Sequence, residues 1–294
     1  MRNPPDFLII GAMKCATSTL HEQLALHPGF FMTDPKEPQF FSDDSVYARG
    51  PEWYSSLFEG ARQDDLCGES STHYTKLPTH PNTVERMQEH LPPETRFIYI
   101  MRHPIHRLVS QYIHEWTQGL VDDPINAAVD TFPGLVEYGC YAMQLEPYLH
   151  AFGRDRILPI FFESLTARPQ HELDRVARFL GIAPELRWQE LEKQNVSAER
   201  MRVSPLRDLI LDAPVLSQIR RSLVPKSVRN RIKQLWMMKE RPTLDPSVER
   251  RLVARYDADL ARLGEWLGIP LSCSEWKTQA LAIGDSGSGG GAWA

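Results

Sequence analysis

One lysine and three consecutive hydroxyl residues cluster near the start of this 294-residue chain, in Gly11-Ala12-Met13-Lys14-Cys15-Ala16-Thr17-Ser18-Thr19. A short apolar run, 7–10, precedes them, and 17–26 carries Leu20, Leu24 and Leu26 at helical spacing. A loop between a strand and a helix start presents free backbone N–H groups and the positive end of the helix dipole. Lys14 adds a point charge, and Thr17, Ser18 and Thr19 add hydroxyl donors. The segment predicts a cradle for phosphate or sulfate. It is not the loop of the common nucleotide triphosphatases, which requires Gly-x-x-x-x-Gly-Lys-[Ser/Thr]: here Lys14 precedes the hydroxyls by three residues and Ala16 replaces the second glycine. The bland alternative is an ordinary turn with a solvated lysine.

A second set stands at Met101-Arg102-His103-Pro104-Ile105-His106. It closes an apolar run, 97–101, and opens a helical pattern, 105–116, marked by Leu108, Val109 and Tyr112. Arg102 falls at the C-terminal edge of a strand, where open α/β sheets bind ligands, and Ser110 lies about two turns into the helix. Taken singly, Arg102 reads as a solvated strand-end residue and Ser110 as a neutral helix serine. His103 and His106 read as surface residues, because no carboxylate or third histidine stands at a metal-ligand spacing.

Three further stretches bear polar residues outside clear periodicity. Lys36-Glu37-Pro38-Gln39-Phe40-Phe41 sits in a loop rich in Pro and Asp, and loops on a rigid scaffold carry function. Cys67-Gly68-Glu69-Ser70-Ser71-Thr72-His73-Tyr74 is the second. Met238-Lys239-Glu240-Arg241-Pro242 precedes the last helix and is the third.

The elements that must position these groups follow from the apolar pattern. Strands are expected at 7–10, 97–101 and 157–162, alternating with helices; the last of these helices has Leu173, Val176, Ala177 and Leu180 at i, i+3, i+4, i+7, with Gly181 at its C-cap. Parallel strands need crossovers and bury both faces. The expected fold class is therefore α/β, a parallel central sheet flanked by helices as in P-loop NTPases, with a helical C-terminal part. Residues 204–235 read as basic helices broken by Pro214 and Pro225, and 246–267 as a strong final helix. The expected organisation is one domain over 1–276 and a flexible Gly/Ser-rich tail over 277–294.

With 33 Lys+Arg against 38 Asp+Glu, the net charge of -5 offers no general basic field for nucleic acid. No stretch approaches the roughly 20 apolar residues of a membrane span, and the N-terminus lacks a signal-peptide pattern. The four cysteines form no CxxC pair or zinc spacing, so reduced thiols and a cytoplasmic location are expected.

The segment 9–20 resembles the 5′-phosphosulfate loop of sulfotransferases that use 3′-phosphoadenosine 5′-phosphosulfate (PAPS). The branch is that of the heparan sulfate N- and O-sulfotransferases and their bacterial relatives. The resemblance implies a nucleotide-binding transferase, with PAPS as cofactor and adenosine 3′,5′-bisphosphate (PAP) as its product. It implies donor contacts at Lys14, Cys15, Ala16, Thr17, Ser18 and Thr19, a grip on the 3′-phosphate by Arg102 and Ser110, and a closing loop contributing Lys239 and Arg241. The segment 36–41 resembles the family's Lys-Glu-x-x-Phe-Phe, which makes Glu37 the base that takes the acceptor's proton. Lys14 would then neutralise the leaving oxygen, and His114 would line the acceptor cleft as a third catalytic residue. The segment 67–74 resembles a family stretch in which Ser70 stands where the animal enzymes place lysine; Glu69 and His73 are then expected to line the acceptor site. Transfer would be direct and in line, with no metal. The acceptor, a small molecule, saccharide or lipid bearing a hydroxyl or amine, is open, as is the oligomeric state. A P-loop kinase or NTPase, and a PAPS- or PAP-binding protein without catalysis, remain as alternatives.

Overall fold

The computed structural model describes residues 5–183, 185–190, 238, 240–283 and 293. Its centre is a sheet of β1 (Phe7–Gly11), β2 (Phe30–Met32), β3 (Leu66–Ser70), β4 (Arg96–Met101) and β5 (Ile157–Phe161). The strands run parallel in the order β2-β3-β1-β4-β5. Both β1 and β5 are buried at every residue, as their unbroken apolar runs require of strands covered on two faces.

Helices make the crossovers. After β1 comes α1 (Thr17–Ala25), and between β2 and β3 lie α2 (Asp44–Tyr47) and α3 (Gly50–Ser56). A 3₁₀ turn (Thr72–Thr75) and α4 (Thr83–His90) lead to β4. Then α5 (Pro104–Thr117), α6 (Ile125–Thr131), α7 (Gly134–Glu137) and α8 (Tyr141–Phe152) precede β5. Beyond it come α9 (Phe162–Ala167), α10 (Pro169–Leu180), α11 (Pro246–Leu267) and α12 (Trp276–Ala282). Among the described residues no helix is long and apolar enough to cross a membrane.

The three expected strands are β1, β4 and β5, the last ending one residue early because Phe162 opens α9. Two strands were not expected. β2 is only three residues long, and β3, with Gly68, Glu69 and Ser70, has no apolar run to reveal it. Pairing places β3 between β2 and β1. Gly68 is needed there, since a Cβ would lie 2.3 Å from the ring of Phe7. The boundary expected at 276 is also moved: α12 is ordered, because Trp276 is fully buried against Phe161, Tyr141 and His103. The expected basic helices over 204–235 and the Gly/Ser-rich stretch 284–292 lie outside the described residues.

From β1 the chain leaves toward β2 and β3, whereas from β4 it leaves toward β5. The two connections diverge at neighbouring strand ends, and such a switch point opens a ligand crevice at the C-terminal edge of a parallel sheet. The loop after β1 and Arg102 after β4 both border it.

Candidate functional site

The chain enters the first loop through Gly11, whose φ of +148° is accessible to glycine and whose Cβ would stand 2.1 Å from Thr75 Oγ1. Thr75 Oγ1 donates to the Ile10 carbonyl at 2.8 Å, and Ala12 N–H bonds the Ile100 carbonyl of β4 at 2.8 Å. The end of β1 is thereby pinned to the 3₁₀ turn, and the loop to β4. Ala16, the N-cap of α1, has φ +67°, a left-handed conformation that costs a residue with a Cβ roughly 1–2 kcal/mol. No N-cap side chain bonds the start of α1, where helix N–H groups lack intrahelical partners.

Within this loop the expected contacts divide. Lys14 is half-buried, Thr17 is buried, and Ser18 and Thr19 are exposed at the helix start. The Cys15 side chain is fully buried, and burial raises its thiol to about 12. Its N–H bonds the Ala12 carbonyl at 3.2 Å. Cys15, expected among the donor contacts, therefore shapes the loop: its thiol is buried and its N–H is bonded within the loop.

Arg102 joins the second set to the first. Its Nη1 donates to the Lys14 carbonyl at 3.4 Å, and its guanidinium lies 4.5 Å from the centre of the Phe162 ring. Tyr141 clamps its backbone, accepting from Arg102 N–H at 3.1 Å and donating to its carbonyl. His103 N–H donates to Glu163 Oε1 at 3.1 Å, while the His103 ring lies tilted against His106 with centroids 4.4 Å apart and meets Trp276 edge-on. His106 is lowered to about 4 by burial and by His103, Arg102 and Arg241. Arg102 and Arg241, the latter from the turn before α11, thus both act on the His106 ring. Lys239 lies outside the described residues. Ser110 and His114, four residues apart on α5 and both half-buried, share one face of that helix.

The loop 36–41 is the third wall. Glu37 and Gln39 both take left-handed conformations, at φ +58°. Glu37 N–H bonds the Ser70 carbonyl at 3.0 Å, Gln39 N–H bonds Ser71 Oγ at 3.1 Å, and Thr72 Oγ1 donates to Glu37 Oε2 at 3.1 Å. Lys36 Nζ donates to Ser18 Oγ at 2.9 Å and to Glu37 Oε1 at 3.1 Å. The carboxylate is thus held beside the start of α1, on the side where Ser18 is open to solvent.

A match to the sulfotransferase domain model spans residues 4–264. The chain belongs to the sulfotransferase domain family, whose sulfuryl donor is PAPS. It is 32% identical over 189 residues to human heparan sulfate glucosamine 3-O-sulfotransferase 6, covering 62% of this chain and 53% of that one. It is 27% identical over 210 residues to the mouse bifunctional heparan sulfate N-deacetylase/N-sulfotransferase 4, covering 63% of this chain and 23% of that one. The chain thus spans about half or less of the length of these curated relatives. Among solved structures, a sulfotransferase from Alicyclobacillus acidocaldarius superimposes with a TM-score of 0.65 at 24% identity, covering 93% of this chain and 98% of that one. That likeness bears out the expected α/β fold.

Set in the sulfotransferase fold, two residues expected at the acceptor site part company. His73 is half-buried, stacks on His80 at 4.9 Å and is lowered to about 4, by burial first and then by Lys76 and His80; Glu37 is among the charges that act on it. Glu69, expected to line the acceptor site, is wholly inside. Its Oε2 accepts from Ser71 Oγ at 3.4 Å, and its Oε1 shares a sealed space with the Tyr54 and Tyr74 hydroxyls without a well-formed hydrogen bond. Burial pushes this carboxyl up to about 8. Ser70 is buried too, with Oγ 2.8 Å from His21 Nδ1.

Sequence reasoning missed Thr72, Tyr141, Phe162 and Trp276, whose roles arise from contacts between distant segments. It also missed Lys76, 9% exposed, with Nζ 5.7 Å from the centre of the Tyr138 ring, and lowered by burial against the pull of Glu115 and Glu37. One missed feature had a visible signature. Arg107, Gln111 and Glu115 recur at i, i+4, i+8 on α5, which is the spacing of a ladder along one helix face.

Proposed function

We propose that this chain transfers the sulfuryl group of PAPS directly to a hydroxyl or amine of an acceptor, with Glu37 as general base. The observation that carries the reading is the bridge Ser18–Lys36–Glu37, which sets a partly exposed carboxylate at the mouth of an anion cradle. A neutral hydroxyl is a weak nucleophile, and a carboxylate within hydrogen-bond reach removes its proton as the bond to sulfur forms. The uncapped start of α1, with Lys14, Thr17, Ser18 and Thr19, suits the 5′-phosphosulfate. Arg102, Ser110 and Arg241 suit the 3′-phosphate, and Lys14 offsets charge on the departing phosphate oxygen. His73 and His114 are assigned to the acceptor side.

Both named relatives act on heparan sulfate by their names. For this chain a saccharide stands beside small alcohols and lipids as an acceptor class, since walls of this kind are built from variable segments. The test begins with calorimetric titration by PAP, AMP and ATP. Clear preference for PAP is expected; equal or tighter binding of ATP would return the chain to the kinase reading. Radiolabelled PAPS and a panel of amino sugars, alcohols and phenols then identify an acceptor. With it, Glu37→Gln should lower kcat by at least about 100-fold while PAP affinity stays at the wild-type value. Undiminished turnover in that variant would remove Glu37 from the mechanism.

A further inference from the structure

Lys36 has no task in the scheme above, yet its ammonium occupies the ground between the two reacting partners. Its Nζ meets Ser18 Oγ at 2.9 Å on the cradle side and Glu37 Oε1 at 3.1 Å on the acceptor side. A group moving from a phosphate at the start of α1 to a nucleophile at Glu37 must cross this span. An ammonium has three N–H donors. Ser18 and Glu37 use two, and the third is left for an incoming anion. The contact with Ser18 is exchangeable because Ser18 is exposed.

Its placement is enforced by the backbone on either side. Glu37 and Gln39 hold left-handed conformations, and Ser70, Ser71 and Thr72 bond the segment from the end of β3. Burial first, and then Lys36, lower His21 of α1 to about 4. A pairing of adjacent residues alone would not carry the side chain to Ser18, and an ion pair of that kind is worth little when solvated.

We propose that Lys36 is a catalytic residue that binds the sulfuryl oxygens during transfer. The inference rests on the PAPS reading of the cradle and on Glu37 as base. In the step it serves, the acceptor's proton passes to the Glu37 carboxylate and the acceptor oxygen or nitrogen forms a bond to sulfur. The bond from sulfur to the 5′-phosphate oxygen breaks, and its electron pair leaves with PAP. Lys36 keeps its protons throughout. It donates hydrogen bonds to oxygens that carry the charge of the loosened sulfuryl group, where a preorganised cation is most effective.

The experiment compares donor and product on the same preparations. Lys36→Met should bind PAP as wild type does but lose affinity for PAPS by about tenfold, the loss expected for one charge-assisted hydrogen bond. Turnover should fall by about 100-fold. Lys36→Arg, which keeps the charge, should recover part of both losses. The double variant K36M/E37Q separates a contact with the sulfuryl group from mere neutralisation of Glu37. If Lys36 touches the group, PAPS still binds more weakly to K36M/E37Q than to E37Q alone. The inference is overturned if that difference vanishes, if PAP and PAPS lose affinity equally in Lys36→Met, or if neither changes. Failure of wild type to prefer PAP over ATP would instead overturn the underlying reading.

Discussion

At the residue scale, the site is made by side chains whose conformation or protonation departs from the ordinary. Ala16, Glu37 and Gln39 hold left-handed backbone without being glycine, and such residues persist only where the surroundings over-determine them. Glu69 departs in another way. Its carboxyl is raised from 4.5 to about 8, first by burial, while Ser71, Tyr54 and Tyr74 oppose the shift and Glu37 adds to it. A carboxyl raised in the folded state binds its proton more tightly there than in the unfolded chain. Its contribution is therefore most favourable below pH 4.5 and is lost as pH rises toward about 8. Glu69→Gln should remove this dependence. The stability of Glu69→Gln relative to wild type, from denaturant midpoints, is expected to rise across that window by at most about 1.4 kcal/mol per pH unit. A flat difference would show that Glu69 is ionised in the folded protein.

At the element scale, α5 does two things at once. Its start follows Arg102 and His103 at the crevice, and its inner face sinks an arginine into the core. Arg107 is fully buried, donates from Nη1 to Gln111 Oε1 at 2.7 Å and from Nη2 to the Leu135 carbonyl. Gln111 Nε2 passes the interaction to Glu115 Oε1 at 3.2 Å. The amide connects a buried cation to a carboxylate two turns away, and Lys76 adds a second cation near Glu115. Gln111→Leu keeps much of the volume but strands both charges. It should cost about 3 kcal/mol, because breaking a buried ionic network leaves its members uncompensated. Chemical denaturation measures this directly, and a loss below about 1 kcal/mol would mean that the charges find other partners.

At the scale of the whole molecule, the C-terminal part supports a site built from the N-terminal half. Trp276 packs against Phe161, Tyr141 and His103, and Tyr141 in turn clamps the backbone of Arg102. His103 also meets the Cys273 carbonyl at 3.1 Å, and α11 reaches α8 through Asp259, which accepts from the N–H groups of Ala142 and Met143. Trp276→Ala should therefore cost roughly 3–5 kcal/mol of stability. It should also weaken PAP more than AMP, since Arg102, proposed to hold the 3′-phosphate, is what it supports. Equal weakening of both nucleotides would separate α12 from that role.

How much of this was legible beforehand depends on how local each cause is. Unbroken apolar runs revealed β1, β4 and β5, and 3.6-residue periodicity revealed α1, α5 and α11, because burial on a regular element writes its period into the chain. A glycine before a lysine and hydroxyls at a helix start marked the strand-to-helix loop proposed as the cradle for the same reason: the geometry it needs lies within a few residues. The short edge strand β2 and the polar β3 left no such mark, since neighbouring strands decide their pairing. Only the tertiary structure buried Glu69 and turned Cys15 inward, set Arg102 and Arg241 to act on one histidine, and set Lys36 between Ser18 and Glu37. Those facts depend on which distant segments share a space, and no period in one segment records what another brings beside it.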